Sequence, residues 1–352
     1  MSKKYIKPSH LALSVGLFSA SFSGSALAAG ELHLYNWSNY FPPTLLELYE
    51  KETGTKVTID SYASEDDLLA KLQAGGGGYD VIFPGASTLG IMVEKGMLAN
   101  AGINEMENFS NLLAPFQTIA GDENRKYSAP YMWGTTGFTY DPASVPGGNL
   151  EESWKELFEP RDELKGKIAM LNEMTDVWNS AAYYKGIDKC TEDPAEAQEI
   201  LDLLMAQKPD VKLYSSEGTI DRMIAGEVPL HMQWNGAAHR VKAKKPDVVY
   251  VYPKEGTSFW VDNMAIPKDA PNMDEAKAFI NWMMRPDIAA EASNYTGYSN
   301  AVKGSGEFLK EDLKADPAVN TPENYSDRLR AYKSCSPKSK DLREKVWTKL
   351  KS

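Results

Sequence analysis

Trp260 and Asp262 stand two residues apart in Ser258–Ile266, an apolar run that reads as a strand, so both side chains leave one face. A tryptophan face beside a carboxylate is what an alkylammonium ion needs: the ring quadrupole attracts the cation and the acid pairs with it. An aspartate inside an apolar strand is poor filler, because an unpaired buried charge costs several kcal/mol. The turn Asn36-Trp37-Ser38-Asn39-Tyr40 gathers similar groups between a strand starting at Leu32 and a helix opened by Pro42-Pro43. Proline's fixed φ and missing N–H do no harm there. The plainer reading of Trp37 and Tyr40 is as core aromatics under that helix. Glu173 and Asp176 occupy another strand-to-helix turn, after Lys167–Leu171 and before a helix expected near Val177. Simple capping by carboxylates competes with a site role at those positions. Trp234 closes the strand Val228–Trp234, and Tyr298 stands in the turn Thr296–Asn300.

No catalytic constellation accompanies these residues. His231 and His239 lack a carboxylate or cysteine at zinc spacing, and neither a metal nor a cofactor is expected. There is no Gly-x-Ser-x-Gly elbow, dinucleotide fingerprint or metalloprotease helix. The run Gly75–Gly78 ends a helix and precedes no Gly-Lys-Ser/Thr, so it is a loop and not a phosphate cradle. Acids at turns leave a secreted glycosidase as the enzymatic alternative, with no motif to identify its two carboxyls.

The elements that must position these groups alternate strand and helix. A helix is expected over about Pro43–Glu52, stopped at Gly54, then a strand over Lys56–Tyr62. Ser64 with Asp67 resembles a capping box for the next helix. Asp80–Phe83 reads as a buried parallel strand, followed by Gly85-Ala86-Ser87 and another helix. Two turns, Asn36–Tyr40 and Gly85–Ser87, should therefore share the carboxyl edge of one parallel sheet, where ligand crevices form. A second α/β unit is expected after Asp141, with a boundary near the turn formers Val145–Asn149. Leu342, Val346 and Leu350 fall on one face of a terminal helix that should dock on a lobe.

Residues 1–28 read as a cleaved secretory leader: Lys3, Lys4 and Lys7, an apolar stretch Leu11–Phe22, then Ala26-Leu27-Ala28. The chain is expected to be exported and soluble. Its 352 residues carry a formal charge of −11, about −14 without the three leader lysines, which disfavours nucleic acid and tolerates cationic ligands. Cys190 and Cys335 are the only cysteines, and an even count in an oxidising compartment points to one disulfide, with two free buried thiols as the alternative.

Tyr35–Tyr40, Tyr79–Ile82, Pro130–Gly134, Gln233–Gly236, Phe259–Asp262 and Thr296–Tyr298 together resemble, in order, the spermidine/putrescine-binding proteins of bacterial ABC importers. The resemblance implies a two-lobed α/β periplasmic binding protein fold, with crossing hinge strands and a ligand cleft closed by hinge motion. It places the first lobe in 29–140 plus 262–304 and the second in 141–261 plus 305–352, with both cysteines in the second. The implied partners are a small cationic ligand and an inner-membrane permease with its ATPase subunits, bound by a monomer. Carried over position by position, Trp37, Trp234, Trp260 and Tyr298 would box the ligand's methylenes. Asp176 and Asp262 would pair with its ammonium groups, Glu173 would add an acid, and Ser38 and Ser216 would add hydroxyls. The chain departs from the family pattern at Asn39, where an acid is usual before Tyr40, at Gly85-Ala86-Ser87, and at Lys333, where a polar uncharged contact is usual. Three acids and one inward lysine would leave a local charge of −2, which favours a putrescine-like diamine over spermidine. A Lys333 that instead binds a carboxylate makes an ω-amino acid the runner-up.

Overall fold

The computed structural model describes residues 30–75, 77–331 and 335–352, together with Met1. The rest of the expected leader, and Lys333, lie outside the described residues. The chain opens with β1 (Glu31–Trp37), α1 (Pro43–Thr53), β2 (Lys56–Tyr62), α2 (Glu65–Gln73), β3 (Val81–Ile82) and α3 (Ala86–Glu94). Pro43 starts α1, Leu45 and Tyr49 bury its inner face, and Gly54 ends it in the left-handed conformation that a side chain would disfavour. The Ser64 hydroxyl accepts from the Asp67 N–H at 3.1 Å, the first half of the expected capping box of α2.

A 13-residue strand, β4 (Ser128–Tyr140), then crosses the molecule. Beyond it come α4 (Lys155–Phe158), β5 (Ile168–Met170), α5 (Met174–Lys185), α6 (Pro194–Gln207), β6 (Val211–Tyr214), α7 (Thr219–Ile224), β7 (Leu230–Trp234), α8 (Asn235–Lys242) and β8 (Val249–Val251). The chain returns through β9 (Thr257–Ala265) to α9 (Met273–Met283), α10 (Pro286–Thr296) and β10 (Ser299–Asn300). It ends with α11 (Glu311–Ala315), β11 (Leu329–Arg330) and α12 (Pro337–Lys351).

The strands form one sheet in the order β2-β1-β3-β9-β4-β7-β5-β6. β1 runs parallel to β2 and β3, and β5 parallel to β6 and β7, so each lobe is a small parallel α/β unit. Antiparallel β4 and β9, paired from Ser128–Ala265 to Thr136–Ser258, join the two units. Their register shifts between Pro130 and Trp133. One core gathers Leu32, Phe83, Phe279 and Ile280, and the other Trp154, Ile168, Trp178 and Leu201. Val346 and Leu350 of α12 are buried in the second core, so the terminal helix docks as its apolar face predicts.

Cys190, beyond α5, and Cys335, before α12, form a disulfide with their Cα atoms 5.1 Å apart. Both flanking helices pack on the second core.

Candidate ligand cleft

The cleft opens where the parallel strands of both lobes end. Because β1 and β3 pair in parallel, the turns after Trp37 and after Phe83 lie side by side, and β7 and α5 bring Trp234, Glu173 and Asp176 to the facing wall. Between them lies a cavity of about 350 Å³. Trp37, Ser38, Asn39, Tyr40, Ser87, Glu173, Asp176, Ser216, Trp234, Trp260, Asp262 and Tyr298 all line it, so every described site residue of the sequence reading meets in one place.

The aromatics are held by their edges. Trp37 Nε1 donates to the Phe83 carbonyl at 3.0 Å, and Tyr62 Oη donates to the same oxygen at 2.7 Å. The Trp37 ring faces Trp234 across the cleft at 6.2 Å between centroids, and Trp260 meets Tyr298 edge-on at 5.2 Å. Two glycines make room for this packing. A Cβ on Gly134 would fall 2.3 Å from Asn235 Oδ1 and 2.7 Å from Trp260 Cζ2, and one on Gly236 would fall 2.4 Å from the Tyr298 ring.

Asp262, Asp176 and Glu173 are only 9%, 8% and 7% exposed. Asp262 Oδ2 accepts from Tyr40 Oη at 2.8 Å, and burial together with the nearby Glu65 pushes its carboxyl well above the usual range. Asp176 takes Thr136 Oγ1 at 2.7 Å on one oxygen and Trp234 Nε1 at 2.8 Å on the other, yet burial still raises its pKa. Glu173 is the N-cap residue of α5, which begins three residues before the expected Val177, but its side chain makes no cap. Its Oε2 instead accepts from the Glu65 N–H across the cleft at 3.4 Å. Burial, then the neighbouring Glu65 and Asp176, raise Glu173 strongly.

Asn39 has φ +59°, a conformation asparagine tolerates better than most residues. Its amide oxygen accepts from Arg240 Nη2 and Tyr295 Oη, each at 3.1 Å, which ties the first lobe to α8. Ser38 Oγ donates to the Tyr62 carbonyl, Ser216 Oγ accepts from the Asn172 N–H, and Ser87 lines the cavity from the first turn of α3.

The sequence reading missed Glu65, Asn179, Lys189, Arg240 and Arg330, which also line the cavity. Glu65 adds a half-buried acid to the three buried ones. It is the first residue of α2 beside Asp66 and Asp67, a pattern that reads as ordinary helix-start charge. The cationic groups Lys189 and Arg330 donate to the Ala331 and Asp327 carbonyls. Among the described residues no cluster of histidine, cysteine or acid could hold a metal ion.

Residues 44–321 match the family model described as bacterial extracellular solute-binding protein. A putrescine-binding periplasmic protein of Pseudomonas aeruginosa is 32% identical over 94% of this chain and 95% of its own. A spermidine/putrescine-binding periplasmic protein of Escherichia coli is 32% identical over 91% of each chain. The structure of a putative spermidine/putrescine ABC transporter protein from Listeria monocytogenes superposes with a TM-score of 0.85, at 28% identity over 92% of this chain and 99% of that one.

Proposed function

We propose, for a chain that belongs to the bacterial extracellular solute-binding protein family, that it captures a polyamine in the periplasm and delivers it to an ABC permease without chemistry of its own. The observation that carries this reading is three buried acids and a half-buried fourth, Glu65, facing an aromatic cavity. Ionised acids in such a place need cations, and methylene chains suit the ring faces between them. Trp37, Trp234, Trp260 and Tyr298 box the methylenes, Asp176 and Asp262 pair with ammonium groups, and the protein acts as a monomer.

A putrescine-like diamine remains our preferred ligand over spermidine, on spacing rather than on summed charge, since Glu65 adds an acid to the sum. Asp176 hangs from Thr136, whose β9 partner is Ser258, four residues from Asp262. At ~3.3 Å per residue these positions are about 13 Å apart along the strand. Side chains stand off a sheet and not along it, so two carboxyls at about that separation suit one short diammonium between them. The ω-amino acid reading rests on Lys333, outside the described residues; among the described residues Lys189, Arg240 and Arg330 are the lining cations that a ligand carboxylate could meet. The lobes are taken as 29–140 with 262–304 and 141–261 with 305–352. Residues 305–310 lie along α10, where Asn294 bonds Phe308 and Lys310, as the chain crosses over.

Thermal-shift screening against amines, amino acids and sugars tests this, because a ligand adds RT ln(1 + [L]/Kd) to stability. Stabilisation by putrescine is expected. A protein stabilised by sugars alone refutes the polyamine reading, tighter spermidine than putrescine binding refutes the spacing argument, and preferred 4-aminobutyrate promotes the second reading.

A further inference from the structure

Glu65 lies between Asp262 on its own side of the cleft and Glu173 on the facing wall. Its Oε1 accepts from the Gly85 N–H at 2.7 Å, in the turn beside Asp262. A Cβ on Gly85 would sit 2.8 Å from Glu65 Oε1 and 3.4 Å from Asp262 Oδ1, so the two carboxyls flank the same small space. Gly85 and Asp262 are themselves bridged strand to strand. From the facing wall Glu173 reaches the Glu65 N–H. The other oxygen, Glu65 Oε2, is sealed from solvent and makes no hydrogen bond of normal geometry, with the Thr88 hydroxyl as the neighbouring donor to this carboxyl. A carboxyl that served only to hold the Gly85 turn would have no need of an idle second oxygen in a cavity; an orphaned buried acceptor costs free energy until a donor arrives. The turn Asn36–Tyr40 cannot supply that acid, because Asn39 is neutral and its oxygen is taken by Arg240 and Tyr295.

We propose that Glu65 is a specificity-determining ligand residue: with Asp262 it clamps one primary ammonium of the ligand, its carboxylate turning about its side chain so that Oε2 accepts one of the three N–H bonds. The inference rests on the cavity taking an ammonium-bearing solute. A clamp of two acids on one nitrogen selects an unsubstituted terminal ammonium, whose three donors satisfy both carboxyls, over an N-alkylated one with fewer.

The clamp also sets what happens to a proton. Glu65 is faced by Asp66 on its own helix, Glu173 and Asp176 of α5, Asp262 of β9 and Tyr62 of β2. Burial, opposed by the Thr88 hydroxyl and the Gly85 N–H, pushes its pKa up to about 7. An arriving ammonium favours the carboxylate, so ligand binding near neutral pH releases a proton.

The test is titration calorimetry of putrescine and of N,N,N′,N′-tetramethylputrescine into wild type, Glu65→Gln and Glu65→Asp, at pH 7 in two buffers of different ionisation enthalpy. Glutamine keeps the acceptor for Gly85 and removes the charge. Putrescine affinity should fall about ten- to a hundred-fold in Glu65→Gln, fewer protons should be released, and the preference for putrescine over its tetramethyl form should shrink. Glu65→Asp should recover part of the affinity and the proton release, which a purely structural role would not restore. Putrescine binding in Glu65→Gln with wild-type affinity and proton release overturns the assignment. If wild type binds no amine at all, the polyamine reading fails instead.

Discussion

Replacing Asp262 by asparagine separates two effects that the structure sets against each other. Asp262 Oδ2 is engaged by Tyr40, which leaves one oxygen for an ammonium. One charge-assisted bond inside a low-dielectric cleft is worth about 1.5–3 kcal/mol. At about 1.4 kcal/mol per decade, Asp262→Asn should weaken polyamine binding roughly ten- to a hundred-fold. In the free protein the same carboxylate is a burden. Its pKa is raised, first by burial and then by Glu65, so the stability it contributes is present below the unfolded pKa and is lost as pH rises through the folded value. Asparagine removes that loss and still accepts from Tyr40. The ligand-free mutant should therefore melt at least as high as wild type at pH 8, with the difference narrowing towards pH 5. Melting curves with and without putrescine read both effects at once. Ligand at a hundred times the wild-type Kd adds about 2.7 kcal/mol to wild type, and a ten-fold loss of affinity cuts this to about 1.4. An unchanged dissociation constant moves Asp262 out of the site, and a mutant destabilised more at pH 8 than at pH 5 refutes the electrostatic account.

Two further outcomes follow from the same cleft. Polyamine affinity should rise between pH 6 and 8, because Glu65 is pushed up to about 7 and Glu173 and Asp262 are raised as well, while alkylammonium groups stay protonated; affinity that is flat or falls over this range in calorimetry contradicts it. Gly134→Ala should lower stability by about 1–3 kcal/mol in denaturant titrations and weaken binding, since the new Cβ lands 2.7 Å from the Trp260 ring and 2.3 Å from Asn235 Oδ1. A mutant with unaltered tryptophan fluorescence and affinity would show that Trp260 does not depend on that gap.

The parts of the site legible in the sequence are those with a local period. Trp260 and Asp262 share a strand face, and the Asn36–Tyr40 turn follows a strand and precedes a proline-opened helix. Glu65 was not legible, because three acids at a helix start have an adequate local explanation and its partner, Gly85, is twenty residues away. The strand β4 was recognised only as part of a resemblance, since Pro130, Gly134 and Gly137 are residues that weaken a strand pattern. Both glycines are there for tertiary reasons: Gly134 lets Trp260 approach, and a Cβ on Gly137 would fall 2.1 Å from the Val251 carbonyl. The electrostatic sum of −2 read from the sequence lacked Glu65 for the same reason, because it depends on which acids the two lobes turn towards each other.

The lobes are not two bodies on a tether. Strands β4 and β9 run through both as one hydrogen-bonded ribbon, interrupted in register only between Pro130 and Trp133. Such a ribbon behaves as a leaf spring: it twists and bends over a small range and resists sliding or free rotation. Trp260 and Asp262 are carried on β9 itself, and Asp262 is tied to Tyr40 and Gly85 beside the first parallel unit, whereas Trp234 ends a strand of the second. Any change in the angle between the lobes must therefore pass through the same ribbon that carries two of the cleft's ligand-facing side chains.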